Sequence, residues 1–226
     1  MSTSLTFSVS YSKEKDISNY LHAGWKFSYL KHGRENIQAN LLKRFPESFR
    51  DSFLQASDEA TARKVVEDWL TAKNDEYRHL TDLTVEIMQT VLNREKTSLV
   101  QTLEAVYKEK VPFDKVSVFV TTFPINPHNF EERWFMIGRM ASVPEMVRIA
   151  KHELNHFMFY YYHLDGLIKR GLEKEKREQL KEALAILTNP EGTDKPTVKE
   201  LEKHIKTLPG KSVSEIIEIC LESKWL

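Results

Sequence analysis

Five consecutive residues carry the strongest chemical signal in the chain: His152-Glu153-Leu154-Asn155-His156, an HExxH motif. Residues four apart on an α-helix share a face one turn apart, so the two imidazoles can address one point. A zinc ion takes nitrogen donors at about 2.0–2.1 Å, and that point can hold one. Glu153 follows the first histidine and projects beside the same point. A carboxylate there can take a proton from activated water and pass it to a leaving amine. The plainer alternative is a helix whose two histidines only satisfy local hydrogen bonds. The flanks favour the metal, because Ile149, Ala150, Phe157 and Met158 surround the motif with uncharged groups and Lys151 is free to point to solvent.

Those residues need a helix to hold them, and the sequence supplies its start. Ser142-Val143-Pro144-Glu145 reads as a capping box with Pro in the first turn. The helix it opens is predicted to run to about Leu164, with Gly166 near its end. Leu5, Phe7, Val9 and Tyr11 alternate as a strand, as do Val116, Val118 and Val120 within 114–123. Pro124, Asn126, Pro127 and Asn129 mark a loop, and Arg133–Arg139 is a further strand candidate. The connection between 114–122 and 132–140 is short, so antiparallel pairing is expected, with one edge left open beside the HExxH helix. Residues 16–110 are helical in pattern, with breaks near Gly33, Pro46 and Ser57, which predicts several antiparallel helices. Further helices are expected at 173–188, 197–207 and 212–222; Thr197–Glu200 and Ser212–Glu215 repeat the capping signature. The fold class is α+β, mostly helical with a small mixed or antiparallel sheet. An N-terminal strand and helical region (1–110) and a motif-bearing region (111–226) form one compact unit.

Composition narrows the partners. The 226 residues are 41% hydrophobic, enough for a packed core, and 33 Lys+Arg balance 33 Asp+Glu. Zero formal net charge argues against nucleic acid or an anionic membrane as the main partner. A single cysteine, Cys220, excludes an internal disulfide framework and a cysteine-based zinc cluster. No apolar run approaches the ~20 residues of a membrane span, and the N-terminus lacks a leader pattern, so a cytoplasmic location is expected.

Residues 142–163 resemble the active-site helix of the zincin metallopeptidases, and the strand 132–140 resembles the edge strand above the active site in that fold. The resemblance covers roughly residues 114–190. It implies Zn2+ as cofactor, a peptide or protein substrate whose backbone adds along Trp134, Ile137 and Gly138, and Glu153 as catalytic base. Zincins differ in their third ligand. Phe159 and Tyr162 occupy the positions where a metzincin has Gly and His, and His163 is about 10 Å along the helix from His156, too far to share the ion. Gly192-Thr193-Asp194 lacks the spacer of the aspzincin pattern, which leaves Asp194 a weak candidate. Glu182-Ala183-Leu184-Ala185 resembles the gluzincin stretch and makes Glu182 the expected third ligand, with Glu178 as the alternative. Tyr161 and His204 are candidate stabilisers of a tetrahedral oxyanion. His22, His32, His79 and His128 have no ligand spacing and receive no role. The competing reading is a non-catalytic helical binding or regulatory protein with a structural or inactive site of this kind.

Overall fold

A computed structural model describes residues 5–25, 40–192, 196–223 and 225. Its elements are β1 (Thr6–Tyr11), α1 (Lys13–Asn19, continued by a π-helical turn Tyr20–Trp25), α2 (Glu47–Leu54), α3 (Glu59–Tyr107), β2 (Lys115–Thr121), β3 (His128–Asn129), β4 (Trp134–Gly138), α4 (Val143–Lys169), α5 (Lys174–Leu184, continued by a 3-10 turn Ala185–Leu187), α6 (Pro196–Lys206) and α7 (Val213–Glu222). The α+β expectation holds: helices dominate, around a four-stranded mixed sheet in the order β1-β2-β4-β3.

The expected breaks near Pro46 and Ser57 are found, and beyond them residues 59–107 form one uninterrupted helix. The segment contains neither Pro nor Gly, Asp58 caps it by accepting from the Thr61 N–H at 2.8 Å, and i,i+4 pairs such as Lys64–Asp68 support its exposed face. At 1.5 Å per residue it is about 70 Å long. The expected break at Gly33 lies outside the described residues.

The expectation for the sheet is corrected. β2 and β4 pair in parallel, with Val118 opposite Phe135 and Val120 opposite Ile137. The chain leaves β2, returns along the far side of β4 as β3, and reverses into β4, so the short connection suffices without a crossover helix. β4 is therefore internal. β3 pairs with Trp134 and Phe135, the Met136 N–H donates to Pro127 O at 2.9 Å, and the Gly138 N–H donates to Asn126 Oδ1 at 3.0 Å. The proposed substrate edge at Trp134, Ile137 and Gly138 is already filled by residues 126–129. The burial of Phe135, Met136 and Ile137 in succession is that of a central strand covered on both faces. The other edge of the sheet is covered by a side chain: the Gln89 amide of α3 accepts from the Val9 N–H and donates to Phe7 O, at 2.9 and 3.0 Å.

Two apolar clusters form. The larger joins the sheet, the C-terminal half of α3 (Met88, Leu92, Leu99, Leu103, Tyr107) and the four C-terminal helices. The smaller is aromatic and gathers Tyr20, Phe49, Phe53 and Phe123 around Ala62, Val66 and Leu70 of the same long helix. α4 runs beyond its expected end, through Gly166. It stops in a Schellman arrangement, with Gly171 at φ +76 and the Leu172 N–H donating to Leu167 O at 3.1 Å.

Candidate metal centre

α4 positions the motif. Ser142 accepts from the Glu145 N–H at 3.4 Å, while the Glu145 carboxylate turns to Arg148 instead of closing the capping box. Along α4, Leu154, Phe157 and Met158 enter the main core, which fixes the rotation of the helix and directs His152, Glu153 and His156 to one side. Asn155 locks the next layer: it accepts from the buried Tyr107 hydroxyl at 3.1 Å and donates to Thr188 Oγ1, just beyond α5, at 3.3 Å.

α5 brings the carboxylate. Leu180, Ala183 and Leu184 are fully buried, and the small Ala183 lets the helix approach closely. Glu182 Oε1 lies 3.5 Å from His156 Nε2, and Oε2 lies 3.6 Å from His152 Nε2. The His152 and His156 ring centroids are 4.2 Å apart. One donor atom from each of the three residues lies within 4.8 Å of the others. Donors about 2.0–2.1 Å from a tetrahedral centre stand about 3.3–3.4 Å from one another, close to the two imidazole–carboxylate separations found here. Two imidazoles and one carboxylate are a donor set for zinc. The three residues therefore fit such an ion on both donor chemistry and spacing. Burial, with the charges of Lys181 and His152, pushes the His156 imidazole down to about 3, so its ring is neutral and keeps a lone pair for a metal. His156 Nδ1 is itself buried without a hydrogen-bond partner.

Of the remaining expectations, Glu178 is not brought into the cluster; it turns outward and accepts from Lys181 Nζ at 2.7 Å. Asp194 lies outside the described residues. Tyr161 is corrected: it is 56% exposed and packs on Tyr162, because it falls on the solvent side of α4. His204 is also away from the cluster and stacks on Trp225 at 5.1 Å.

His128, Lys181 and Tyr160, the neighbour of Tyr161 in the run of three tyrosines, stand here instead. His128 Nδ1 is 2.6 Å from Glu153 Oε2. Burial pushes the Glu153 carboxyl up, but His128, His156 and His152 outweigh it and hold the group below the usual carboxylate range. Tyr160, one turn beyond His156, places its ring 5.9 Å from His128. Its hydroxyl accepts from Lys181 Nζ at 2.9 Å. Lys181 is 3% exposed, and its ammonium lies 3.6 Å from Glu182 Oε1. Tyr160 was legible as the i+4 neighbour of His156; His128 and Lys181 carried no such signal.

His152, Glu182 and Glu153 border an open cleft of ≈ 440 Å³, with His156 buried behind them, and Ile125 and Asn126 add the flank before β3. No protein-family model, curated protein or solved structure matches this chain. Among the described residues, no helix is long and apolar enough to cross a membrane.

Proposed function

We propose that the protein is a zinc-dependent peptidase of gluzincin-like type. The observation that carries the reading is the convergence of His152, His156 and Glu182 with Glu153 at its side. A zinc ion held by those three residues would supply Lewis acidity toward water and the scissile carbonyl. Glu153 accepts a proton from the attacking water as the water oxygen bonds to the carbonyl carbon. It returns that proton to the amine as the C–N bond breaks. His128 holds the Glu153 carboxylate in place. The Tyr160 hydroxyl, held by Lys181, takes the oxyanion-stabilising role in place of Tyr161. Peptide backbone enters along residues 124–126, since β4 is covered. The reading keeps the protein in the cytoplasm, where a reducing pool suits Cys220, a buried thiol pushed up to about 11 by desolvation.

The test is metal content and peptide hydrolysis on one preparation. The chain is expected to take up one zinc, to lose it to a chelator, and to lose it permanently in His156→Ala and Glu182→Ala with the helical content unchanged. Failure of the intact chain to bind zinc overturns the reading. Zinc binding without hydrolysis of any peptide in a mixed pool favours the non-catalytic alternative.

A further inference from the structure

A larger cleft, ≈ 1320 Å³, opens beside the metal corner and shares Pro124, Asn126 and Ile149 with it. It lies between the middle of α3 and the C-terminal ends of β1, β2 and β4, the end of a parallel sheet where ligands commonly bind. Arg139 borders it immediately after β4. Its main chain is fixed from two sides: the N–H donates to Thr121 O at 2.8 Å, and the carbonyl accepts from Thr84 Oγ1 at 3.4 Å. Its guanidinium lies over the Tyr77 ring, 4.5 Å from the centroid. Nε is buried without a hydrogen-bond partner.

Among the described residues, the acids around Arg139 are otherwise engaged. Asp82 faces Arg78 at 4.0 Å along α3, and Glu145 is gripped by Arg148 at 2.6 and 2.7 Å. Asp16, behind Tyr11, is taken up by Thr121, Thr122 and Tyr11. Glu86 lines the same cleft, and no ion pair joins it to Arg139 among the described residues. With Nε shut off from solvent, the terminal nitrogens are the donors open to a ligand, and a guanidinium matches a carboxylate in two parallel hydrogen bonds.

We propose that Arg139 is a specificity residue that receives a carboxylate of an acidic peptide lying along this cleft toward the metal corner. The inference rests on the peptidase reading for its choice of a peptide as ligand. A turn closed by the Ala141 N–H to Gly138 O at 3.0 Å joins Arg139 to Ser142, the N-cap of α4. The subsite and two of the metal ligands are thereby carried on one continuous stretch of ordered chain, so a bound carboxylate sets the register of the peptide against Glu153.

The test uses Glu153→Gln protein with zinc added, so that no probe is cleaved, and fluorescence anisotropy with three labelled pentapeptides. One is Ala-Ala-Glu-Ala-Ala with an amidated end, the second has Gln in place of Glu, and the third is all Ala with a free C-terminal carboxylate. One carboxylate-bearing peptide is expected to bind about tenfold more tightly than the Gln peptide, and which one does so identifies the side chain or the terminus as the source. The advantage is expected to vanish in Arg139→Gln and to fall only in part in Arg139→Lys, which keeps the charge without the fork; if Arg139→Gln does not fold, the Lys variant decides. Equal binding of all three peptides, no binding, or an advantage that survives loss of the guanidinium overturns the proposal. Zinc content of the same samples reports separately on the metal reading. Arg139-dependent binding in a chain that takes up no zinc upholds the subsite and removes the peptidase.

Discussion

Asp16 and Glu153 are both carboxylates withdrawn from water, 1% and 5% exposed, yet their surroundings differ in kind. Asp16 is saturated by neutral donors: the Thr121 and Thr122 hydroxyls at 2.6 and 2.7 Å, the Thr122 N–H at 3.0 Å and the Tyr11 hydroxyl at 3.3 Å. Glu153 meets titratable rings instead. His128 approaches at 2.6 Å without an aligned hydrogen bond, and His152 and His156 lie beyond it. A saturated acid ties α1 to the end of β2 and has no capacity left for a ligand. An acid facing unsaturated, ionisable groups is poised to exchange a proton. Burial alone does not mark function; what separates the two is their company, neutral donors that leave Asp16 above the usual carboxylate range and titratable rings that hold Glu153 below it.

The sharpest way to break this contrast is Glu153→Gln. Peptide hydrolysis is expected to fall by about 10²–10⁴-fold, with zinc content and melting temperature unchanged. Hydrolysis that persists would put Glu153 in the same structural class as Asp16. The converse substitution, Asp16→Ala, strands the buried Thr121 hydroxyl and the half-buried Thr122 N–H and is expected to cost about 1–3 kcal/mol in chemical denaturation, with zinc stoichiometry intact. Loss of zinc in that variant would show the two sites to be one.

A third measurement uses pH. Desolvation raises the Asp16 pKa against the pull of its four hydrogen bonds. The folded chain therefore retains a proton that the unfolded chain releases above about pH 4. Between that value and the raised folded value the unfolded state binds fewer protons, so this group's contribution to stability declines as pH rises. Asp16→Asn removes that component, and the difference in unfolding free energy between the two proteins is expected to flatten above the window. A parallel pair of curves would mean that Asp16 is not buried as described.

Smaller effects refine the metal corner. Tyr160→Phe deletes the acceptor of Lys181 Nζ and is expected to lower hydrolysis by about tenfold, within the range of a single lost hydrogen bond to a charged group. Tyr161→Ala, on the exposed side of the same helix, is expected to change stability by no more than about 0.5 kcal/mol and to leave hydrolysis alone.

These differences also explain what could be read in advance. The His152–His156 pair was visible because four residues on a helix fix their separation locally. Glu182 was visible through the resemblance and the small residues around it, and the structure brings it to the two histidines. His128 was not, because only the β3–β4 pairing carries it to Glu153. Parallel pairing of β2 and β4 was missed because the return strand is two residues long. The unbroken run Trp134–Ile137 already had the character of a central strand, and it was read instead as an edge. The continuity of α3 was legible, since no break signal falls between Ser57 and Val111, but that two separate cores grip its two halves is a tertiary fact that periodicity could not supply.

The parallel register of β1 on β2 has a kinetic consequence. Thr6 pairs with Lys115 across the whole length of α1 to α3, so β1 joins the sheet only by closing a very long loop. By polymer statistics such a closure costs about 4 kcal/mol of chain entropy, and non-local parallel pairing of this kind folds slowly. During synthesis the N-terminal strand must wait for β2 and β4 to emerge, and the flank 122–129 takes its position only with them. β2, β3 and β4 are neighbours in sequence and can pair first, so the edge strand β1 joins last, and the cover that Gln89 gives its backbone arrives with it.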